Sequence, residues 1–225
     1  MTTAIRQLIG TLSLLCAASA LAATAPARAG PAYGAPQTLD RPGWAQTQLW
    51  DVNDGRQVVG ASISADGSIS AGFVLNNGSY TDIGPAGALY SGATGITNSG
   101  LIVGYYGDGD PAVHAFLYEN GVYTEFSVAG ADGTLLRHVS SNGRYLTGTW
   151  NYATHTHGFA FDRQTQNRTD FNQSSSTIAQ GALTRGMVVG SLNNFPTRAF
   201  VYNLNNQGDD RGDEHRCRHP TTLSR

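Results

Sequence analysis

Histidine and carboxylate spacing offers this chain its main chances of chemistry. His155 and His157 stand two apart, so on an extended strand they share one face, and His138 is near in sequence. Imidazoles grouped in this way suit zinc or copper. His157, however, occupies the same place as His114 in the repeat described below, which suits packing or a turn hydrogen bond. Asp108-Gly109-Asp110 presents two carboxylates to calcium but no third close ligand, and reads as a solvated loop. Asp82, Glu125 and Asp170 also share one repeat position, as strand-end residues do. Sugar hydrolysis needs two carboxylates at a fixed separation, and nothing singles out such a pair.

Aromatic residues give a second possibility. Trp44, Trp50 and Trp150, with Tyr105 and Tyr106, have rings that stack on sugars, although the same residues serve as core or blade-edge packing. The sequence holds no Gly-x-Ser-x-Gly elbow, no His-Glu-x-x-His pair and no phosphate-binding loop. Arg211-Gly212-Asp213 spells an adhesion tripeptide by coincidence in a charged tail. No catalytic, cofactor-binding or metal-ligating residue is therefore assigned, and no cofactor is expected.

The elements that would position these side chains come from a repeat. Val58-Val59-Gly60, Ile102-Val103-Gly104, Leu146-Thr147-Gly148 and Val188-Val189-Gly190 mark one position, with glycines 44, 44 and 42 apart. A second mark follows at Ala71-Gly72-Phe73, His114-Ala115-Phe116, His157-Gly158-Phe159 and Arg198-Ala199-Phe200, with phenylalanines 43, 43 and 41 apart. Two marks keeping one period define about four copies of a unit of about 43 residues.

Within the second copy, Leu101 to Tyr106, Val113 to Tyr118 and Val122 to Phe126 read as strands rich in β-branched and aromatic residues. Asn120-Gly121, like Asn77-Gly78 one copy earlier, predicts a tight hairpin turn with positive φ at both positions. Four short strands per unit, apolar on both faces, predict an all-β chain of β-propeller blades, partial or small as propellers go. A β-solenoid is the alternative, with coils that are usually shorter and less hairpin-like. The fourth copy lacks a recognisable last strand, whereas Gln37-Thr38-Leu39-Asp40 resembles one. Residues 37–40 are thus expected to pair beside residues 198–202 and close the ring, the alternative being a piece of a longer array.

The first 29 residues read as a secretory signal. Arg6 charges the start, Leu8 to Ala23 is a mostly apolar run without charge, and Ala27-Arg28-Ala29 places small residues where a signal peptidase reads. Ala20-Leu21-Ala22 offers an earlier cut, and an N-terminal membrane anchor is the competing reading; the run falls short of the ~20 residues a span needs. Removing residues 1–29 with Arg6 and Arg28 moves the formal net charge from −2 to −4. That acidity argues against nucleic acid, which needs a basic face. Cys16 lies in the signal and Cys217 in the tail, so the mature chain has no internal disulfide. The expected organisation is a signal at 1–29, a β-repeat domain at 37–207 and a polar, disordered tail at 208–225, with no membrane span once the signal is removed.

Thr38-Leu39-Asp40-Arg41-Pro42-Gly43, the run from Gly95 to Tyr106 and His114-Ala115-Phe116-Leu117-Tyr118 resemble the HAF family, a probable extracellular repeat. The resemblance covers about Gln37 to Tyr202 and is weakest in the fourth copy. Ala71 and Arg198 replace the histidine of the motif, and Gly72 and Gly158 replace its alanine. It implies a bacterial, exported protein, periplasmic or extracellular, whose molecular activity the family does not supply. Two functions are carried forward. One is a non-catalytic scaffold that binds a protein or glycan partner. The other is a secreted hydrolase or lyase with its site in a propeller channel.

Overall fold

The structure, a computed structural model, describes residues 35–36, 38–171, 176–192 and 197–205. The proposed signal, the tail from residue 208 and Arg211-Gly212-Asp213 lie outside the described residues.

Among the described residues, fifteen strands form four antiparallel sheets. The first holds β1 (Gln46–Val52), β2 (Val58–Ile63), β3 (Ser70–Asn76) and β4 (Ser79–Ile83). Next come β5 (Tyr90–Ile96), β6 (Ile102–Gly107), β7 (His114–Glu119) and β8 (Val122–Phe126). The third has β9 (Gly133–Val139), β10 (Tyr145–Tyr152), β11 (His155–Asp162) and β12 (Asn167–Phe171). The last has three strands, β13 (Thr177–Ala182), β14 (Met187–Leu192) and β15 (Arg198–Asn203). Each sheet is a simple meander, and the four are the blades of a β-propeller, as the period and strand content predict. Among the described residues no helix is long and apolar enough to cross a membrane.

Local sequence explains the hairpins. Asn77 and Gly78 have φ of 48° and 81°, and Asn120 and Gly121 have 53° and 82°, the paired left-handed values of the turn that Asn-Gly predicts. The two repeat marks then meet across each sheet. Gly60 pairs with Phe73, Gly104 with Phe116, Gly148 with Phe159 and Gly190 with Phe200. Phe73, Phe116 and Phe159 are fully buried. Phe200 is half-buried against Phe171, and among the described residues no outer strand lies beside β15.

Cores lie between blades, one per junction. Val59, Ile83, Ala93 and Phe116 fill the first, Val103, Ala115, Leu136 and Phe159 the second, and Ala160, Phe171, Ala179 and Val188 the third. Hydroxyls repeat at these junctions too. Ser91 accepts from the Gly72 amide and donates to the Ile83 carbonyl, and Thr177 does the same with Gly158 and Phe171. Among the described residues, blade 4 makes no comparable packing on blade 1.

The ring closure expected of residues 37–40 is not what forms. Gln37 lies outside the described residues, residues 38–40 are in no strand, and among the described residues β15 is the last strand of the fourth sheet. The reason is the turn that follows. Gly43 takes φ 83° and the Trp44 amide donates to the Arg41 carbonyl, so the chain doubles back onto blade 1. Arg41 lies over the rings of Trp44, Phe73 and Tyr80, 5.1, 6.0 and 5.6 Å from their centroids, and pairs with Asp82 at 2.6 Å. Arg41 thus covers Phe73 on the face where a preceding blade covers Phe116 and Phe159.

Candidate functional site on the innermost strands

The first strands of successive blades, β1, β5, β9 and β13, pack against one another while the last strands do not, so the first strands lie innermost. Each carries a bulge at the same place. In β1 the pairing steps from Leu49–Gly60 to Asp51–Val59 and leaves Trp50 extra. The same step leaves Thr94 extra in β5, Arg137 in β9 and Gln180 in β13. Bulges re-aim side chains. Here the repeat glycine makes room for each one. A Cβ on Gly60, Gly104, Gly148 or Gly190 would collide with the carbonyl of Gln48, Gly92, Leu135 or Ile178 respectively.

Trp50 is 38% exposed and leans toward blade 2, with its ring 6.1 Å from Tyr105 and tilted 34° to it. Gly92 brings the two together: a Cβ there would lie 2.7 Å from both rings. Gly107 likewise leaves no room for a methyl beside the Tyr90 ring. Arg137, the bulged residue of β9, stands on a strand that packs against β6 and is close enough to Tyr105 for their charges to interact. Its Nε is buried with no partner, and burial lowers its pKa, with the nearby Tyr105 opposing. Burial raises the Tyr105 phenol, Tyr90 adds to the rise and Arg137 reduces it. Thr94 ties the two blades at this level by donating to the Leu136 carbonyl at 2.8 Å. One surface therefore gathers Trp50, Tyr105, Tyr90 and Arg137 from three blades.

Titratable groups on the same strands are engaged in joining blades. Asp51 accepts the Ile96 amide at 2.9 Å, and His138 Nδ1 accepts the Ala182 amide at 3.4 Å. These are equivalent positions, just after each bulge. Burial lowers the His138 pKa and the Asp51 charge opposes the fall.

The histidines weighed for metal stand otherwise. His157 lies tilted at 32° against Trp150 across β10 and β11, with centroids 4.4 Å apart, and His155 stacks on His157 at 6.3 Å. His114 stacks on Tyr106 at 5.1 Å in the same cross-strand relation. The repeat histidine is thus an aromatic partner, its neighbour being Tyr106 in one blade and Trp150 in the next. Among the described residues no three His, Cys, Asp or Glu side chains are grouped as a metal site. Asp108 accepts the Asp110 amide and Asp110 the Ala112 amide, which folds that loop on itself.

The repeat acids each hold a donor. Asp82 takes Arg41, Glu125 lies 3.4 Å from His114 Nδ1, and Asp170 accepts Trp150 Nε1 and Arg168. Of the aromatic candidates, Trp50 on innermost strand β1 meets Tyr105 on the neighbouring strand β6 of the next blade. Trp44 lies against Arg41 and Trp150 against His157. Sequence reasoning missed Arg137, whose neighbours carry no motif; the glycine of the first repeat mark was the available signal, since it sits opposite each bulge.

Known structures share the fold. A prolyl endopeptidase matches with a TM-score of 0.52 at 14% identity, over 71% of this chain and 27% of that one. TolB from Acinetobacter baumannii matches with a TM-score of 0.51 at 10% identity, over 72% of this chain and 42% of that one. The chain thus spans less than half the length of either. No protein-family model matches the chain, and no curated protein matches it in sequence.

Proposed function

We propose that this protein is an exported, non-catalytic β-propeller scaffold that binds a protein or glycan partner on its innermost strands. The observation that supports this most is the partly exposed Trp50 ring held against Tyr105 where a bulge and a glycine make space for both. Exposed aromatic rings on a rigid sheet frame supply contact area at little entropic cost. Export rests on Arg6, the apolar run and Ala27-Arg28-Ala29, and a periplasmic or extracellular location follows from it. The HAF resemblance belongs to the same reading.

The competing function, a secreted hydrolase or lyase with its site in the channel, would draw on Asp51 and His138. Both side chains already accept a backbone amide from the next blade, and a hydrolase of sugars needs a second carboxylate.

The test uses the secreted protein. N-terminal sequencing is expected to start it near Gly30, and retention of residues 1–20 would overturn export by cleavage. A glycan array together with a cell-surface pull-down is expected to yield a binder that Trp50→Ala loses. Turnover of any captured ligand, or undiminished capture by Trp50→Ala, would overturn the scaffold reading at this surface.

A further inference from the structure

We infer that the Trp50–Tyr105–Arg137 surface takes an acidic saccharide, one whose sugar rings carry carboxylates. The inference rests on the binding surface proposed above and adds the chemical class of its ligand.

Three features of the site argue for it. The two rings, 6.1 Å apart and tilted by 34°, make a shallow platform and not a cage. A pyranose presents a flat face of C–H groups that lies well on such a platform, because the ring face carries negative charge and the C–H edge positive. Second, Arg137 brings a cation whose buried Nε has no hydrogen-bond partner and which is in no ion pair among the described residues. The groups acting on it are its own burial and the Tyr105 phenol, in contrast to Arg41, Arg144, Arg163 and Arg168, each of which holds an acid. A guanidinium pairs with a carboxylate through two parallel hydrogen bonds, and this gains most where water is partly excluded. Third, the parts come from three consecutive blades and are fixed by backbone: the bulges of β1 and β9, the missing side chain at Gly92 and the Thr94–Leu136 hydrogen bond. Little ordering is left for binding to impose.

A peptide fits less well. Peptide recognition depends on a side-chain anchor sunk in a pocket. One hollow of about 330 Å³ lies away from these rings, lined by Leu117, Asn120, Val122 and Arg163. There Arg163 is taken by Glu119 at 3.4 Å. A neutral sugar would use the two rings and leave Arg137 without a partner.

The experiment measures binding of oligogalacturonate and of its methyl ester by calorimetry, with the whole secreted chain. The ester keeps the sugar face and removes the charge. The acid is expected to bind at least tenfold more tightly than the ester and to weaken between 50 and about 500 mM salt, since screening acts on charge pairs. Arg137→Gln should remove the preference and leave ester binding in place. Arg137→Lys should restore part of it, which separates charge from folding damage at a half-buried position. Trp50→Ala should weaken both ligands. Equal binding of acid and ester by the wild type, with loss in Trp50→Ala, would overturn the acidic class and leave the ring platform standing. A preference for the acid that survives Arg137→Gln would overturn the role of Arg137. No binding of either sugar, beside a protein captured through Trp50, would overturn the saccharide inference and leave the scaffold function intact.

Discussion

Gly104 faces Phe116 across β6 and β7, and a Cβ added to the glycine would stand 2.6 Å from the phenylalanine ring. The Gly92 carbonyl of the β5 bulge presses on the same point from the other side. The glycine therefore seats the core ring and the bulge together. Gly104→Ala forces one of them to move, and the carbonyl belongs to a strand that packs on the next blade. Overpacking of this kind costs about 1–3 kcal/mol, and rigid backbone puts the expected loss at the upper end. Urea melts of Gly104→Ala should show it; a midpoint equal to wild type would mean that β5 yields freely.

The four phenylalanines of the repeat should not be equal. Phe116→Ala and Phe159→Ala each empty a fully buried site and should cost on the order of 3–5 kcal/mol. Phe200→Ala removes a half-buried ring from a sheet of three strands among the described residues, and should cost clearly less. Denaturant titration of the three variants in parallel checks the order. Equal losses would show that blade 4 is packed as tightly as the others.

The legible part of this fold was the part written in residue types that few positions tolerate. Gly60, Gly104, Gly148 and Gly190 sit where a carbonyl leaves no room for a methyl, and Phe73, Phe116 and Phe159 fill the space opposite, so both marks recur with the period. Departures from the motif have the same origin. Gly72 and Gly158 replace an alanine where the next blade's Ala93 and Ala179 amides come within 3.0 and 2.9 Å of a would-be Cβ. The bulged residues were illegible for the opposite reason. Trp50, Thr94, Arg137 and Gln180 share a backbone position and no chemistry, because a bulge is defined by register and leaves the side chain free to vary. The end of the array misled for a third reason. A strand-like string at 37–40 resembled β4, but Pro42-Gly43 turned the chain, and Arg41 found Phe73, Tyr80 and Asp82 on blade 1.

One face of blade 4 is apolar yet open. Val189 and Val201 pair with each other and are 47% and 65% exposed, whereas Val59 and Val103, the counterparts of Val189, are fully buried under the following blade. Charge should therefore be tolerated at one end of the array and not inside it. Val201→Lys is expected to change stability by no more than about 0.5 kcal/mol. Val103→Lys buries an unpaired ammonium and should cost on the order of 3 kcal/mol or more, through both desolvation and crowding. Thermal melts of the two proteins decide it. A large loss in Val201→Lys would mean that this face is covered in solution.

His138 should make the junction of blades 3 and 4 sensitive to acid. Its Nδ1 accepts the Ala182 amide, and a protonated ring cannot accept there. Burial, the larger influence, lowers its pKa from the ordinary value of 6.5, against the pull of Asp51. The folded protein therefore binds this proton less readily than the unfolded chain does. Stability from the neutral ring is fully present above about pH 6.5 and is lost as pH falls through the lower, folded value. His138→Asn keeps an acceptor oxygen near the Nδ1 position and removes the titration. Urea midpoints taken from pH 7.5 down to 5 should fall more steeply for the wild type than for His138→Asn. The remaining histidines are common to both proteins, so the difference between the curves isolates His138. Parallel curves would show that the Ala182 amide does not depend on the imidazole, and a difference that grows toward high pH would reverse the sign argued from burial.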